Sequence, residues 1–551
     1  MANKTKYPFS VHSFMVPLRW DYLPSDFDIK GSKESIDFDI RTDVKEFAKL
    51  LENTAWKRTF YRINNSPELY NENTYFHAFA TRTLFDMQQH NEIDESVISD
   101  NKTMVYYEIE TDENDYYKIN ADHKIYKLKL SGLSLHIYNT GVAILTYNLE
   151  NWQYAESEQI LQINEFGRRI YPQFLSNEKP YTEATKKTFL ARELEIQSAK
   201  LNYGIPIQDD FTQYDTLEIK DTHKVDELGN YQPNTIIDIP NIIKKLFNDN
   251  FIYTAKEEIN TKNRIRFNIL IDDRMFFQSW FGNNALANSF SKEIKLHDNE
   301  TNGFAYAHSN FWYAYMYGDK TEHNLGIANK FMQEKNSIDN TYDRWVEYGT
   351  LFGFTRDSFV CISKDLETFR KPDVRIHMKT MYYQMAVLCL AQRATVLRFS
   401  AEVSGLADLG KTNKAQVSKR IQQLYLNYIE FINKIYFREV TPQIQGIEIY
   451  SKFQQIMNIH NDVKDLDNEI SELHEYVSLL QDEERNEEAA KLNRLATIFL
   501  PATLVFGILG ANFFNDDKFL SEFLSIRSIL WIAFGFIPSI IIYYILKNKR
   551  L

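Results

Sequence analysis

Two stretches near the carboxyl end contain no charged residue, 495–515 and 528–546. Each is about 20 residues long, and an α-helix rising ~1.5 Å per residue needs roughly that length to cross a ~30 Å hydrocarbon layer. Residues 516–527 join them. This pairing predicts a two-helix membrane hairpin, with nearly all the remaining chain on one side of the bilayer. Arg485, Lys491 and Arg494 precede the first stretch, and Lys547, Lys549 and Arg550 follow the second. The connection carries Lys518 and Arg527 against Asp516, Asp517 and Glu522. Basic flanks stay inside. The expected topology is therefore multi-pass in the plasma (inner) membrane, with both termini cytoplasmic and only 516–527 outside.

The chain has 551 residues, so the part ahead of the membrane is long enough for two or three domains. Ser10, His12, Arg19 and Asp21 interrupt the first residues, where no secretory signal is expected. Its two cysteines, Cys361 and Cys389, form no CxxC pair, which argues against a disulfide framework or a cysteine zinc site. A net charge of −12 excludes a broad basic face, so direct DNA or RNA binding is not expected.

Residues 1–371 read as an α/β cytosolic region. Strands are expected at 126–130, 133–138 and 142–148, the last two joined by Asn139-Thr140-Gly141, and another at 265–271. Helices are expected at 180–202 and 240–248, each opening on a proline. Residues 372–440 read as a helical hairpin (373–409 and 413–437) punctuated by Gly405 and Gly410. After Thr441 and Pro442 a single stalk helix is expected through 494, continuing into the first membrane span.

The stalk is acidic. Eleven carboxylates fall between Asp462 and Glu488, opposed only by Lys464 and Arg485. One reading is a solvated face. The other is that stalks of several subunits stand together and their carboxylates, Asp465, Glu469 and Glu472 among them, hold divalent cations through oxygen. A stripe of mostly small or slightly polar residues continues upward: Asn486, Ala489, Leu492, Ala496, Leu500, Thr503, Gly507 and Gly510. Its spacing of three and four puts it on one helix face. It suits close helix packing in lipid, or a pore constricted at Leu492 and Leu500 and gated by dewetting.

The segments ATIFLPAT (496–503) and GILGANF (507–513) resemble the first membrane helix of the CorA family of divalent-cation channels. QRA (392–394), LRFSAEVS (397–404) and the basic end KNKR (547–550) resemble that family's helical hairpin and tail. The resemblance covers roughly 373–551. It implies a homopentameric funnel that conducts Mg2+ or another divalent cation, with Asn512 as the outer selectivity residue and Gly510, Thr503, Leu500, Leu492 and Asn486 along the pore. Ala511 stands where the family has Met, so ordinary magnesium selectivity is not carried over.

The amino-terminal region exceeds that of ordinary members. FMVPLRW (14–20), TGVAIL (140–145), NEFGRRIY (164–171), DDRMF (272–276) and YGTLFG (348–353) resemble a branch of the family encoded beside type III CRISPR systems. That resemblance implies a membrane effector of antiviral defence, opened by a nucleotide second messenger: a cyclic oligoadenylate or an adenylated S-adenosylmethionine. Phosphates and adenines call for cations and aromatic faces. Arg168 and Arg169 beside Phe166 and Tyr171, Arg274, Arg344 and Arg356 have that character. Each also has the simpler reading of pairing with a nearby acid.

No nucleotide-loop, zincin or nucleophile-elbow signature occurs, and His308 and His460 read as isolated structural histidines, so no enzyme is expected. Three functions follow: a messenger-gated channel, a housekeeping magnesium or divalent-cation transporter regulated by cation binding, and a membrane-anchored scaffold without transport.

Overall fold

The computed structural model describes residues 7–23, 44–52, 54–61, 72–86, 103–121, 124–170, 191–211, 223–225, 231–233, 239–252, 264–270, 274–297, 301–321, 327–364, 374–409 and 414–513, with Leu530 and Ile537 beyond them. The chain divides into two compact units. One comprises Met1–Ala407 and Leu424–Asp467, the other Asp408–Gln423 and Asn468–Leu551. The points at which the chain passes between them fall within helices.

The first unit is built on a sheet that is antiparallel in all but two of its pairings among the described residues. Its principal strands are β1 (Ser10–Leu23), β2 (Met104–Ile109), β3 (Tyr116–Ala121), β4 (Lys124–Tyr138), β5 (Val142–Asn151), β6 (Glu193–Gln197), β7 (Ile207–Asp210), β8 (Arg264–Ile269), β9 (Phe276–Gly282), β10 (Thr341–Tyr342), β11 (Leu351–Thr355) and β12 (Ser358–Ser363). The main path runs β10-β11-β12-β9-β1-β5-β4-β3-β6-β7, with β8 also on β1 and β2 also on β4. Strand β1 is central. One edge pairs with β5 from Ser10 to Arg19. The other is shared: Ser10–Met15 with β9, then Leu18–Leu23 with β8. Pro17 sits at that handover, where its missing N–H costs the ladder nothing.

The expected strands 126–130 and 133–138 form one strand, β4, with a register shift between Leu130 and Gly132. Such a bulge lets one strand bend without ending. The helix expected over 180–202 is corrected. Residues 193–197 are β6, paired with β3 and β7, and the alternation Leu194/Ile196 buries one face of it. Residues 180–190 lie outside the described set. The proline at 240 does open a helix, the short Asn241–Lys244.

Helix α1 (Ser157–Gly167) begins with a reciprocal cap between Glu156 and Gln159. It contributes to one face of the sheet. His12 Nδ1 meets Asn164 Oδ1 at 2.7 Å, and a Cβ on Gly167 would lie 2.8 Å from the Phe14 ring. Helices α2 (Asn310–Tyr317) and α3 (Lys330–Asp339) follow, capped by Ser309 and Asn329. The predicted hairpin is α4 (Val374–Lys379), α5 (Met381–Leu409) and α6 (Lys414–Lys434), with a break at Thr380.

Helix α5 is fastened to β1 and the β4–β5 turn by charge. The Arg398 side chain, 1% exposed, donates to Trp20 O at 3.0 Å, Gly141 O, Asp21 Oδ1 at 3.1 Å and Glu402 Oε1 at 2.8 Å. Asp21 also takes Arg266 at 3.0 Å and Arg19 at 3.3 Å. Burial pushes the Asp21 carboxyl up, but Arg398, Arg19 and Arg266 outweigh it and hold it below the usual range. Gly141 has φ +76°, and a Cβ there would stand 1.4 Å from Arg398 Nη1. Only glycine suits both the turn and the approach.

The single helix expected from 442 onward is corrected. It is α7 (Ile444–Ile456) and α8 (Ile459–Phe513), separated at Asn458 with φ +58°. Asn458 Oδ1 accepts from Asn461 Nδ2 at 2.8 Å, and its own amide reaches Asp462. Asparagine tolerates the left-handed region better than other side-chain-bearing residues and offers such local bonds. Helix α8 alone has 55 residues, or roughly 80 Å at ~1.5 Å each. Among the described residues no helix is long and apolar enough to cross a membrane. The predicted second span, 528–546, lies outside them apart from Leu530 and Ile537.

Candidate functional site

Helix α8 carries both the predicted cation face and the predicted pore stripe. Val463, Leu466, Ile470 and Val477 are buried along one side of its first half. Asp465, Glu469 and Glu472 are exposed, at spacings of four and three residues, and so share a face. Further along, Asn486 and Thr503 are exposed, as are Leu492 (67%) and Leu500 (62%). Leu495 and Phe499 are exposed too. Thr503 turns its hydroxyl proton onto its own helix, with Phe499 O at 2.8 Å and Leu500 O at 3.0 Å. Its oxygen lone pairs remain as acceptors. Gly510 and Asn512 lie within the helix backbone.

The predicted messenger contacts have internal partners. Arg168 is 2% exposed and Arg169 4%. Both hold Glu165 from α1, Arg168 at 3.0 Å and Arg169 at 2.5 Å. Arg168 also donates to Tyr317 O at 3.0 Å and Gly318 O at 3.3 Å, and lies 5.0 Å from the Phe277 ring centroid. Burial raises the Glu165 carboxyl, and its two arginines bring it net down. Burial also lowers Arg168. Phe166 is buried in the core, and Tyr171 lies outside the described residues. Arg274 is joined to Arg169 by an antiparallel bridge. The structure therefore assembles Arg168, Arg169, Phe166 and Arg274 as architecture around α1.

The other two arginines are elsewhere. Arg344 makes a bidentate approach to Glu448 of α7 (2.7 and 2.8 Å) and lies 5.5 Å from the Trp345 ring centroid. Tyr342 also donates to Glu448. Arg356 is exposed, and its carbonyl accepts from Arg393 at 2.6 Å.

One cluster went unread. His308 is not isolated: its Nε2 meets Glu334 Oε2, and so does His297 Nδ1 at 2.7 Å. The two ring nitrogens are 3.1 Å apart. Residues 297, 308 and 334 belong to a loop, a turn and a helix, so no short motif joins them. His460 is likewise partnered, its Nδ1 2.9 Å from the Tyr436 hydroxyl.

Neither a curated protein nor a solved structure matches the chain. A family model, described as CorA-like Mg2+ transporter protein, matches residues 400–549, which take in the end of α5, α6, α7, α8 and both charge-free stretches. Over that carboxy-terminal segment the chain is similar to the CorA family.

Proposed function

We propose that the protein is the subunit of a homo-oligomeric, CorA-like divalent-cation channel. The observation that carries this reading is the family match over 400–549, which spans the pore stripe and both charge-free stretches. The exposed Leu492, Leu495, Phe499 and Leu500 support it. A run of large apolar side chains on one helix calls for other copies or lipid to cover it. One hairpin offers one pore-lining helix, so a pore requires closed symmetry, and the resemblance sets the number at five. The purified protein in detergent should have the mass of a pentamer. In liposomes it should pass Mg2+ or another divalent cation. Leu500→Ser should wet the constriction and leak without any stimulus. A monomeric particle, or a Leu500→Ser variant no leakier than the parent, would leave the scaffold reading in its place.

The finer reading is a defence effector gated by a nucleotide messenger on the amino-terminal unit. It rests on the five resembling segments and on the large region ahead of residue 400. Arg344 and Arg356 are its exposed cations, whereas Arg168 and Arg169 already serve Glu165. Direct binding of cyclic oligoadenylates and of adenylated S-adenosylmethionine to the full chain tests it, with Arg344→Ala and Arg356→Ala as the informative variants. If no messenger binds, the transporter reading regulated by cations at Asp465, Glu469 and Glu472 takes precedence. The exposed row of carboxylates favours that reading.

A further inference from the structure

Two imidazole nitrogens and one carboxylate oxygen converge in the first unit, at residues that belong to neither the predicted pore nor the predicted messenger contacts. His297 lies in the connection between the two strands of the small hairpin Glu293–Lys295/Asn302–Phe304, His308 ends the 3-10 turn Ala305–His308, and Glu334 lies in α3. Their ligand atoms all lie within 4.8 Å of one another. We propose that His297, His308 and Glu334 form a binding site for one borderline divalent metal ion, of which Zn2+ is the type.

The donor set fixes the class of ion. Magnesium and calcium take oxygen ligands almost alone, whereas imidazole favours zinc, cobalt, nickel and their neighbours. A tetrahedral ion with bonds of about 2.0–2.2 Å holds its ligand atoms ~3.4 Å apart. The His297 and His308 nitrogens at 3.1 Å need to open by about 0.3 Å, and their gaps to the Glu334 oxygen must widen further, by about 0.7 Å for His297 at 2.7 Å and by more for His308. The rings can yield, with His297 38% and His308 37% exposed. The carboxylate is the fixed corner. It is 9% exposed, and the His297 backbone N–H holds it from 3.1 Å. Asn329 caps α3 one turn earlier and sets the helix.

Three protein ligands leave a fourth position open to solvent, past the two exposed rings. In that arrangement the ion keeps a water or takes an anionic oxygen ligand from outside. The site differs in chemistry from the cation face of α8: nitrogen-rich here, all-oxygen there.

The experiment uses the full-length protein, stripped with a chelator and dialysed against ZnCl2 in the presence of millimolar MgCl2. One Zn2+ per chain should remain, and Co2+ in its place should give the visible absorption of a tetrahedral nitrogen-oxygen site. The variant His297→Ala/His308→Ala should lose affinity by more than about 100-fold, since even residues outside the ligand shell cost roughly 10–100-fold. Circular dichroism should show its fold unchanged, because both rings are partly exposed. Glu334→Gln keeps an acceptor for the His297 N–H and should weaken the metal without unfolding α3. The proposal is overturned if the parent holds no Zn2+, if the double variant binds it as tightly as the parent, or if Mg2+ displaces it.

Discussion

The sheet unit and the second half of helix α8 solve the problem of unpaired groups in opposite ways. In the sheet unit the conspicuous charges face inward and answer each other: Asp21 meets Arg398, Arg266 and Arg19, and Glu165 meets Arg168 and Arg169. Helix α8 presents Leu492, Leu495, Phe499 and Leu500 exposed among the described residues. A lone helix draws little stability from its own backbone, and the proposed function assigns that face to contact with other copies or lipid. The first unit answers its buried charges within one chain, whereas under the proposed function the second is completed by other copies.

The sharpest break of that contrast is Arg398→Ala. It leaves Asp21 buried with two of its three arginines and takes a donor from the carbonyls of Trp20 and Gly141, the latter keeping the Trp20 N–H at 2.9 Å. Breaking a buried ion pair from one side costs about 3–5 kcal/mol. Chemical denaturation of the full chain should show a loss of that size in the sheet unit. A loss below about 1 kcal/mol would mean that the buried network is not what fastens α5 to the sheet. The network also sets an acid limit. Asp21 is depressed in the fold, so its contribution is complete above the ordinary carboxylate range and is lost as pH falls through its lowered value.

Legibility in the sequence follows the same division. The two charge-free stretches, the hairpin turn at Gly141 and the acidic face of α8 are local patterns, and each could be read from a dozen or so neighbouring residues. At the end of the 180–202 region Leu194 and Ile196 alternate into a strand paired on both sides, a short period-two pattern that the helical expectation ran over. The surroundings of the arginine segment 164–171 were legible only in part. Its partners are partly local, Glu165 being three and four residues away. Its burial, however, comes from strands and a helix far along the chain, including the Gly318 carbonyl and the Phe277 ring. The same holds for His297, His308 and Glu334, whose meeting depends on tertiary packing that no spacing rule encodes.

Glu72 is a smaller lever inside the first unit and runs opposite to Asp21. Burial pushes its carboxyl up to about 7 from an ordinary 4.5, although Tyr61 and Gln384 hydrogen bonds pull the other way. A raised carboxyl favours the protonated fold. That stability is complete below the ordinary value and is lost as pH rises through 7. Glu72→Gln should therefore stabilise the protein by about 1–3 kcal/mol at pH 8 and change little at pH 4. Thermal melts across that range check it, and equal gains at both pH values would show that ionisation is not the cause.

The smallest expected effect tests where α8 begins. Asn458 stands at φ +58° between α7 and α8, a backbone setting that costs an ordinary L-residue roughly 1–2 kcal/mol. Its side chain offsets part of this through Asn461 and Asp462. Asn458→Gly keeps the conformation and gives up only the side-chain bonds, so it should stay within about 0.5 kcal/mol of the parent. Asn458→Ala loses both and should cost about 1 kcal/mol or more, measurable as a lower denaturation midpoint. If Asn458→Ala instead matches the parent, α7 and α8 join into the single uninterrupted helix that the sequence pattern alone suggests. The division at Asn458 would then be a soft preference rather than a fixed corner, and α8 would owe its start to packing of Val463, Leu466 and Ile470 instead.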